Sequence, residues 1–203
     1  MLGPHMMTVS LILGHPSPGS FNHAIAERVR STLIQQGWTV HFHDLYAEGF
    51  DPILPAAEIP EDAVLPPAVA LHCDQIGAAQ GMVIIHPNWW SQPPAILKGW
   101  VDRVLRPGRA YRFVEDGQGG GKPEGLLPAR SALVINTANN PQELEVKLLG
   151  DPLEVFWRKC VFGLCGVPHL ERLVFAPVIL SQPAQRQAWL EEVEQATLRL
   201  FAP

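Results

Sequence analysis

Three short clusters hold most of the residues in this chain that could do chemistry: Gly14-His15-Pro16-Ser17-Pro18-Gly19-Ser20-Phe21-Asn22, Pro87-Asn88-Trp89-Trp90-Ser91-Gln92, and Asn136-Thr137-Ala138-Asn139-Asn140. A Gly/Ser/Asn loop that opens a helix presents hydroxyls and free backbone N–H groups at the positive end of the helix dipole. That is an anion site, and phosphate is its natural occupant. Two adjacent tryptophans among amides supply stacking area and edge hydrogen bonds, which a flat aromatic ligand needs. Two such rings on a proline-flanked loop are poor candidates for core packing. The third cluster adds a hydroxyl and amides. Familiar nucleotide and nucleophile motifs do not fit the first cluster. Gly19 is followed by Ser20 and Phe21 rather than Lys-Ser/Thr, no GxGxxG occurs, and Ser17 sits between prolines with no glycine two residues before it, so GxSxG is absent.

The elements that must position these clusters follow from periodicity. Residues 8–13 read as a strand. A helix then runs to about Gln36, with Ile25, Val29 and Leu33 on one face and Gly37 as its stop. Residues 38–44 alternate and suggest an edge strand whose wet face carries His41 and His43 as exposed polar positions. A Pro-rich loop leads to a helix at 68–79. The apolar run 82–85 reads as a strand buried on both faces that stops at His86-Pro87. Pro94 opens the next helix, with Ala95, Ile96, Leu97, Trp100, Val101, Val104 and Leu105 at helical spacing. A short apolar piece at 110–114 precedes a Gly-rich stretch, 116–125, expected to be a surface loop and flap. Its Gly121-Lys122 is no phosphate loop, because Pro123 follows. Residues 129–136 form a fourth strand. Residues 144–164 are helical with a break at Gly150-Asp151-Pro152, and Cys160 and Cys165 are expected there as buried apolar filler. A fifth strand at 170–175 and an amphipathic helix at 183–201 close the chain.

Strict βα alternation implies a parallel sheet with helices on both faces. An edge position for the second strand favours a flavodoxin-like three-layer α/β sandwich of strand order 2-1-3-4-5, whose ligands sit at the carboxyl ends of strands 1, 3 and 4. The three clusters occupy those ends. One suits phosphate, one an aromatic ring system and one ring-edge polar atoms, so a flavin is the expected ligand. Response regulators share the topology but need acidic residues where this chain has Gly14-His15 and His86-Pro87.

Composition bounds the rest. The chain has 203 residues, 47% hydrophobic and 17% charged, and suits one globular domain, expected at 7–203 with residues 1–5 as an expression scar. A net charge of −5 without a basic run argues against nucleic acid. No apolar run reaches membrane-spanning length, and no signal peptide is evident. Cys73, Cys160 and Cys165 form no CxxC, which fits a reducing cytoplasm. No cluster of His41 and His43 with a third ligand is arranged to hold a metal.

Three motifs carry a family resemblance: His15-x4-Ser20-Phe21-Asn22, Asp44-Leu45-Tyr46 with Phe50-Asp51-Pro52-Ile53, and Pro94-Ala95-Ile96-Leu97-Lys98-Gly99-Trp100. In order and register they resemble the flavodoxin-like NAD(P)H:quinone oxidoreductases, the DT-diaphorase group, over most of residues 8–165. The resemblance implies FAD, with FMN as alternative, and NAD(P)H as donor. It also implies ping-pong two-electron transfer to a quinone, with azo or nitro compounds as other acceptors, and a homodimer with the pocket at the subunit boundary. Carried over, His15, Ser17, Ser20, Phe21 and Asn22 hold the flavin phosphate. Pro87, Asn88, Trp89 and Trp90 line the ring, and Asn136, Thr137, Ala138 and Asn139 meet it from the fourth strand. The family's Gly-Gly pair and its Tyr/His relay are missing, and Asn139-Asn140 stand in that loop. Trp90, Asn139 and Asn140 are therefore the candidate catalytic residues. A regulatory flavoprotein module of a potassium-efflux transporter is the alternative, since such modules also resemble this family. A one-electron carrier is disfavoured by the mild charge.

Overall fold

The computed structural model describes residues 7–115 and 120–202; the expected scar at 1–5 lies outside them. The described strands are β1 (Thr8–Leu13), β2 (Thr39–Asp44), β3 (Gly81–Pro87), β4 (Tyr111–Glu115), β5 (Gly121–Gly125), β6 (Ser131–Thr137) and β7 (His169–Phe175). Five of them form one parallel sheet of order β2-β1-β3-β6-β7. This is the expected 2-1-3-4-5 order once the separate antiparallel β4–β5 hairpin is set aside.

β3 is buried along its whole length, and its alternate side chains feed two cores. Val83 and Ile85 join Leu11, Leu13, Leu133 and Ile135 beneath α1 (Phe21–Gln35) and the C-terminal helix Pro183–Leu200. Met82 and Ile84 join Ile12 and Val134 beneath α2 (Pro67–Ala78), α3 (Ala95–Val104) and the helical stretch 152–165, whose centre Val155–Phe162 is π-helical. Trp100 and Trp157 fill this second core without exposure.

The long segment between β2 and α2 is tied down where the sequence shows only a Pro-rich loop. Arg103 donates from Nε to Glu58 Oε2 (3.0 Å) and from Nη2 to Glu58 Oε1 (2.6 Å), and both residues are buried. Gly99 is required by the same crossing. A Cβ there would lie 2.1 Å from the Pro52 carbonyl oxygen, so the Gly of the Leu-Lys-Gly-Trp run and the Pro of the Asp-Pro-Ile run are one contact.

Four local expectations change. Pro94 stands at the N-cap, one residue before α3 begins, whereas β3 ends at His86-Pro87 as expected. The 116–125 loop is partly a strand, because Gly121–Gly125 pairs with β4; residues 116–119, part of the expected flap, lie outside the described residues. Cys165 is buried as expected, but Cys160 is exposed. His43 is buried rather than exposed, since the neighbouring surface of α2 covers it. Its Nδ1–H donates to Glu48 Oε1 (2.9 Å), and its ring lies tilted by 31° against His72 at 3.7 Å between centroids.

Candidate functional site

The ends of β1, β3 and β6 open into one cavity of about 640 Å³. It is lined by His15, Ser20, Phe21, Asn22, Pro87, Asn88, Trp89, Trp90, Ser91, Thr137, Ala138, Asn139, Asn140, Glu145, Leu149 and Val178. Topology places it there, because the sheet reverses direction of winding between β1 and β3 and leaves a crevice beyond the strand ends. Most of the expected site residues are brought together. Ser17 and Asn136 are not in the lining. Ser17 is exposed, with its N–H bonded to His15 Nδ1 (3.1 Å), and Asn136 is fully buried behind the cavity.

At one end, Ser20 caps α1 and accepts the His23 N–H. The Ser20 hydroxyl also meets His23 Nδ1 (2.8 Å), and His23 Nε2 meets Asp44 Oδ2 (3.0 Å). A carboxylate only accepts, so the neutral ring carries its proton on Nε2 and receives the Ser20 O–H at Nδ1. Asp44 Oδ1 in turn accepts the N–H groups of Tyr46 and Ala47 (3.2 and 3.1 Å). The Asp-Leu-Tyr motif thus orients the cap of α1. His15 orders its own loop through Ser17, and burial lowers its pKa below the usual histidine value. Asn22 is buried and donates to Thr137 Oγ1 (2.9 Å), joining the first cluster to the third.

Beneath the ring-sized part of the cavity lies a polar network. His86 is fully buried and bonded at both nitrogens: Nδ1–H donates to the Pro87 carbonyl (2.8 Å), and Nε2 accepts from Trp157 Nε1–H (2.9 Å) and from the Asn136 amide (2.9 Å). Burial pushes its pKa down to about 4. Asn136 Oδ1 accepts from Arg172 Nε (2.7 Å), and Arg172 pairs with Asp151 (2.7 Å). Asn88 N–H donates to the Thr137 carbonyl (2.7 Å), tying the ends of β3 and β6.

Above this base, Trp89 and Gln92 bond reciprocally (3.1 and 3.0 Å) around Trp90 and Ser91, which hold φ of 55° and 58°. Positive φ at both central residues is the geometry of a type I′ turn, normally filled by Asn-Gly. A tryptophan and a serine held there are strained, and such strain concentrates at ligand clamps and active sites. Trp90 is 98% exposed and Trp89 42%, so neither is core.

The opposite wall is α4 (Gln142–Leu149), none of whose residues is buried. It contributes Glu145 and Leu149, which sequence reasoning missed, as it missed Val178, His23 and His86. His86 could have been suspected from its place at the end of a wholly apolar strand. Glu145 gave no signal, because its face depends on where α4 lands.

The His43–Glu48–His72 group brings ligand-type atoms within 4.8 Å of one another. Trp100 Nε1–H donates to His72 Nδ1 (2.8 Å), so the single proton of neutral His72 sits on Nε2, facing Glu48 Oε2 (3.3 Å). The lone pair a metal would need is therefore occupied by a proton, and the group works as a hydrogen-bonded pin.

Comparison with known proteins places these features. Residues 7–198 match the family described by its flavodoxin-like fold. The chain is 31% identical over 191 residues to an uncharacterized NAD(P)H oxidoreductase of Haemophilus influenzae, covering 92% of each. It is 32% identical over 222 residues to NAD(P)H dehydrogenase [quinone] 1 of Rattus norvegicus, covering 95% of this chain and 80% of the relative. The solved NAD(P)H:quinone oxidoreductase from Methanothermobacter marburgensis superposes with a TM-score of 0.79 at 26% identity, covering 95% of this chain and 96% of that one.

Proposed function

The chain belongs to the flavodoxin-like family of NAD(P)H oxidoreductases and quinone dehydrogenases, and from that membership we propose that it is a flavin-dependent NAD(P)H oxidoreductase that reduces quinones. The observation that carries the reading is that one cavity spans the ends of β1, β3 and β6. It joins a helix N-terminus furnished with Ser20 and His15 to an exposed tryptophan turn furnished with amides. One end matches a phosphate and the other a planar ring, and two residues of the lining, Asn88 and Glu145, each keep a buried acceptor oxygen without a partner among the described residues.

The first free N–H groups of α1 would hold the flavin phosphate, and Ser20, whose one hydroxyl proton goes to His23 Nδ1, would hold the helix N-terminus in place for it, with His23 set by Asp44. Pro87, Asn88 and Trp89 would bound the ring, with Thr137 and Ala138 meeting it from β6. Trp90 would cover the acceptor and exclude water from the transfer. Asn139 and Asn140 would bond the O2/N1 edge where the family's Tyr/His relay is missing, with Asn139 held by its Oδ1 accepting Ile179 N–H (3.1 Å). A bound flavin supplies two-electron hydride chemistry between nicotinamide and acceptor, while the protein supplies binding and orientation. FAD is the favoured form by family resemblance, with FMN as the alternative. Homodimerisation would cover Trp90 and the apolar face of α4, where Leu144, Val146, Leu148 and Leu149 are exposed.

The test is an absorbance spectrum of protein supplied with FAD or FMN, then with anaerobic NADPH, then with a quinone. Bands near ~450 nm that bleach with NADPH and return with quinone support the reading. Protein that takes up neither flavin overturns it.

A further inference from the structure

Asn88 Oδ1 and Glu145 Oε1 are buried and lack any hydrogen-bond partner among the described residues. The third such atom, Ser10 Oγ, lies on β1 inside the sheet, away from the cavity. The first two belong together. Asn88 Nδ2–H donates to Glu145 Oε2 at 2.6 Å, and both residues line the cavity. That bond fixes the orientation of both groups. The amide donor turns toward the carboxylate, and one acceptor oxygen from each wall is left over. Unpaired buried acceptors are destabilising unless something donates to them, and a carboxylate oxygen more than most. Two of them at a ligand cavity specify a donor on the ligand.

An oxidised flavin ring presents acceptors at N1, O2, O4 and N5, and its one ring donor is the imide N–H at N3. We propose that Asn88 and Glu145 form an acceptor pair that receives this imide N–H, so that the chain selects flavins with a free N3 position. The inference rests on the flavin reading above and deepens it. It places the pyrimidine end of the ring between the end of β3 and α4. The neighbouring O2 atom then falls on the side of Asn139 and Asn140, which can donate to it. Glu145 becomes a residue that positions the cofactor from a helix otherwise resting on the surface.

The test compares FMN with N3-methyl-FMN, titrated into the apo full-length protein and followed by quenching of flavin fluorescence. A hydrogen bond to a charged acceptor corresponds to about tenfold to a hundredfold in affinity. Wild type is expected to bind N3-methyl-FMN at least about tenfold more weakly than FMN. Glu145→Leu is expected to weaken FMN and to bring the two ligands within about threefold of each other. Because α4 has no buried residue, this variant is expected to fold, which its circular dichroism checks. Equal binding of both flavins by wild type overturns the acceptor pair while leaving the flavin reading standing. The same ratio in Glu145→Leu as in wild type also overturns it, because the methyl group would then clash elsewhere. Where wild type takes FAD but not FMN, FAD and N3-methyl-FAD make the same comparison, and binding of neither FMN nor FAD overturns the flavin reading and the pair with it.

Discussion

The two walls of the cavity are built on opposite principles. The β3 wall is an extension of the core: β3 is buried end to end, and the Pro87 carbonyl is held by His86, which is held by Trp157 and Asn136, with Arg172 behind them. The α4 wall buries nothing of its own and shows four apolar side chains to solvent. It is fastened to the other wall by Asn88–Glu145. The difference teaches where rigidity and adaptability reside. The surface a planar ring would stack on is tied into the core, whereas the facing wall has no buried residue of its own and is joined to the first through Asn88–Glu145.

Acid should weaken the first wall through His86 and the core beneath α2 and α3 through His72. His86 and His72 are buried, and burial lowers both to about 4 from a free value of 6.5. Above 6.5 neither the folded nor the unfolded chain binds these protons, so stability there is independent of them. Below 6.5 the unfolded chain takes up both protons and the folded chain takes neither. Stability should therefore fall by about 1.4 kcal/mol per pH unit for each histidine until the folded values are reached. Urea denaturation at neutral pH and near pH 5 measures this. A flat profile would mean that these rings are not the neutral pins the geometry describes.

His86→Leu attacks the same wall at one point. It leaves the Trp157 indole N–H and the Asn136 amide buried without an acceptor, and the Pro87 carbonyl without its donor. The expected loss is about 3 kcal/mol of stability, together with flavin affinity, and the variant should lose one histidine's share of the acid slope. Retained stability would show that water replaces the imidazole and that the β3 wall is less integral than its bonding suggests.

How much of this contrast the sequence revealed follows from the same physics. The β3 strand, the three clusters and the 2-1-3-4-5 order were legible because apolar runs and Gly/Pro punctuation are local signals. The β4–β5 hairpin was not, since Gly121-Lys122-Pro123-Glu124-Gly125 has the composition of a loop and pairs only because Tyr111–Glu115 lies beside it. His43 misled because alternation reports which side faces the sheet's neighbours only when nothing else covers the strand, and α2 does. The cavity residues that sequence reasoning found sit on the β-strand ends, whose position topology determines. Glu145 and Leu149, which it missed, sit on α4, whose placement no core pattern encodes.

A smaller effect tests the strain stored at the top of the β3 wall. Ser91 holds a φ of 58° between Trp90 and Gln92, and glycine adopts that conformation without penalty. Ser91→Gly should raise stability by about 1 kcal/mol, read as a higher urea midpoint. If it lowers flavin affinity at the same time, the strain serves to hold Trp90 in place; if stability falls, the turn is not strained.

The smallest expected effect belongs to α4 and separates the two walls most cleanly. Leu148 is 68% exposed, so Leu148→Ser removes little buried surface from the single chain and should shift stability by under about 0.5 kcal/mol in dilute protein. A second copy covering this face would change the outcome with concentration. By mass action the wild-type midpoint should rise as protein is concentrated, and the variant's should rise less. Measuring both proteins over a hundredfold concentration range therefore distinguishes a wall that stands alone from one completed by its partner. A variant that is destabilised equally at every concentration would show that α4 is anchored to its own chain after all, and the contrast between the walls would narrow to the Asn88–Glu145 bond.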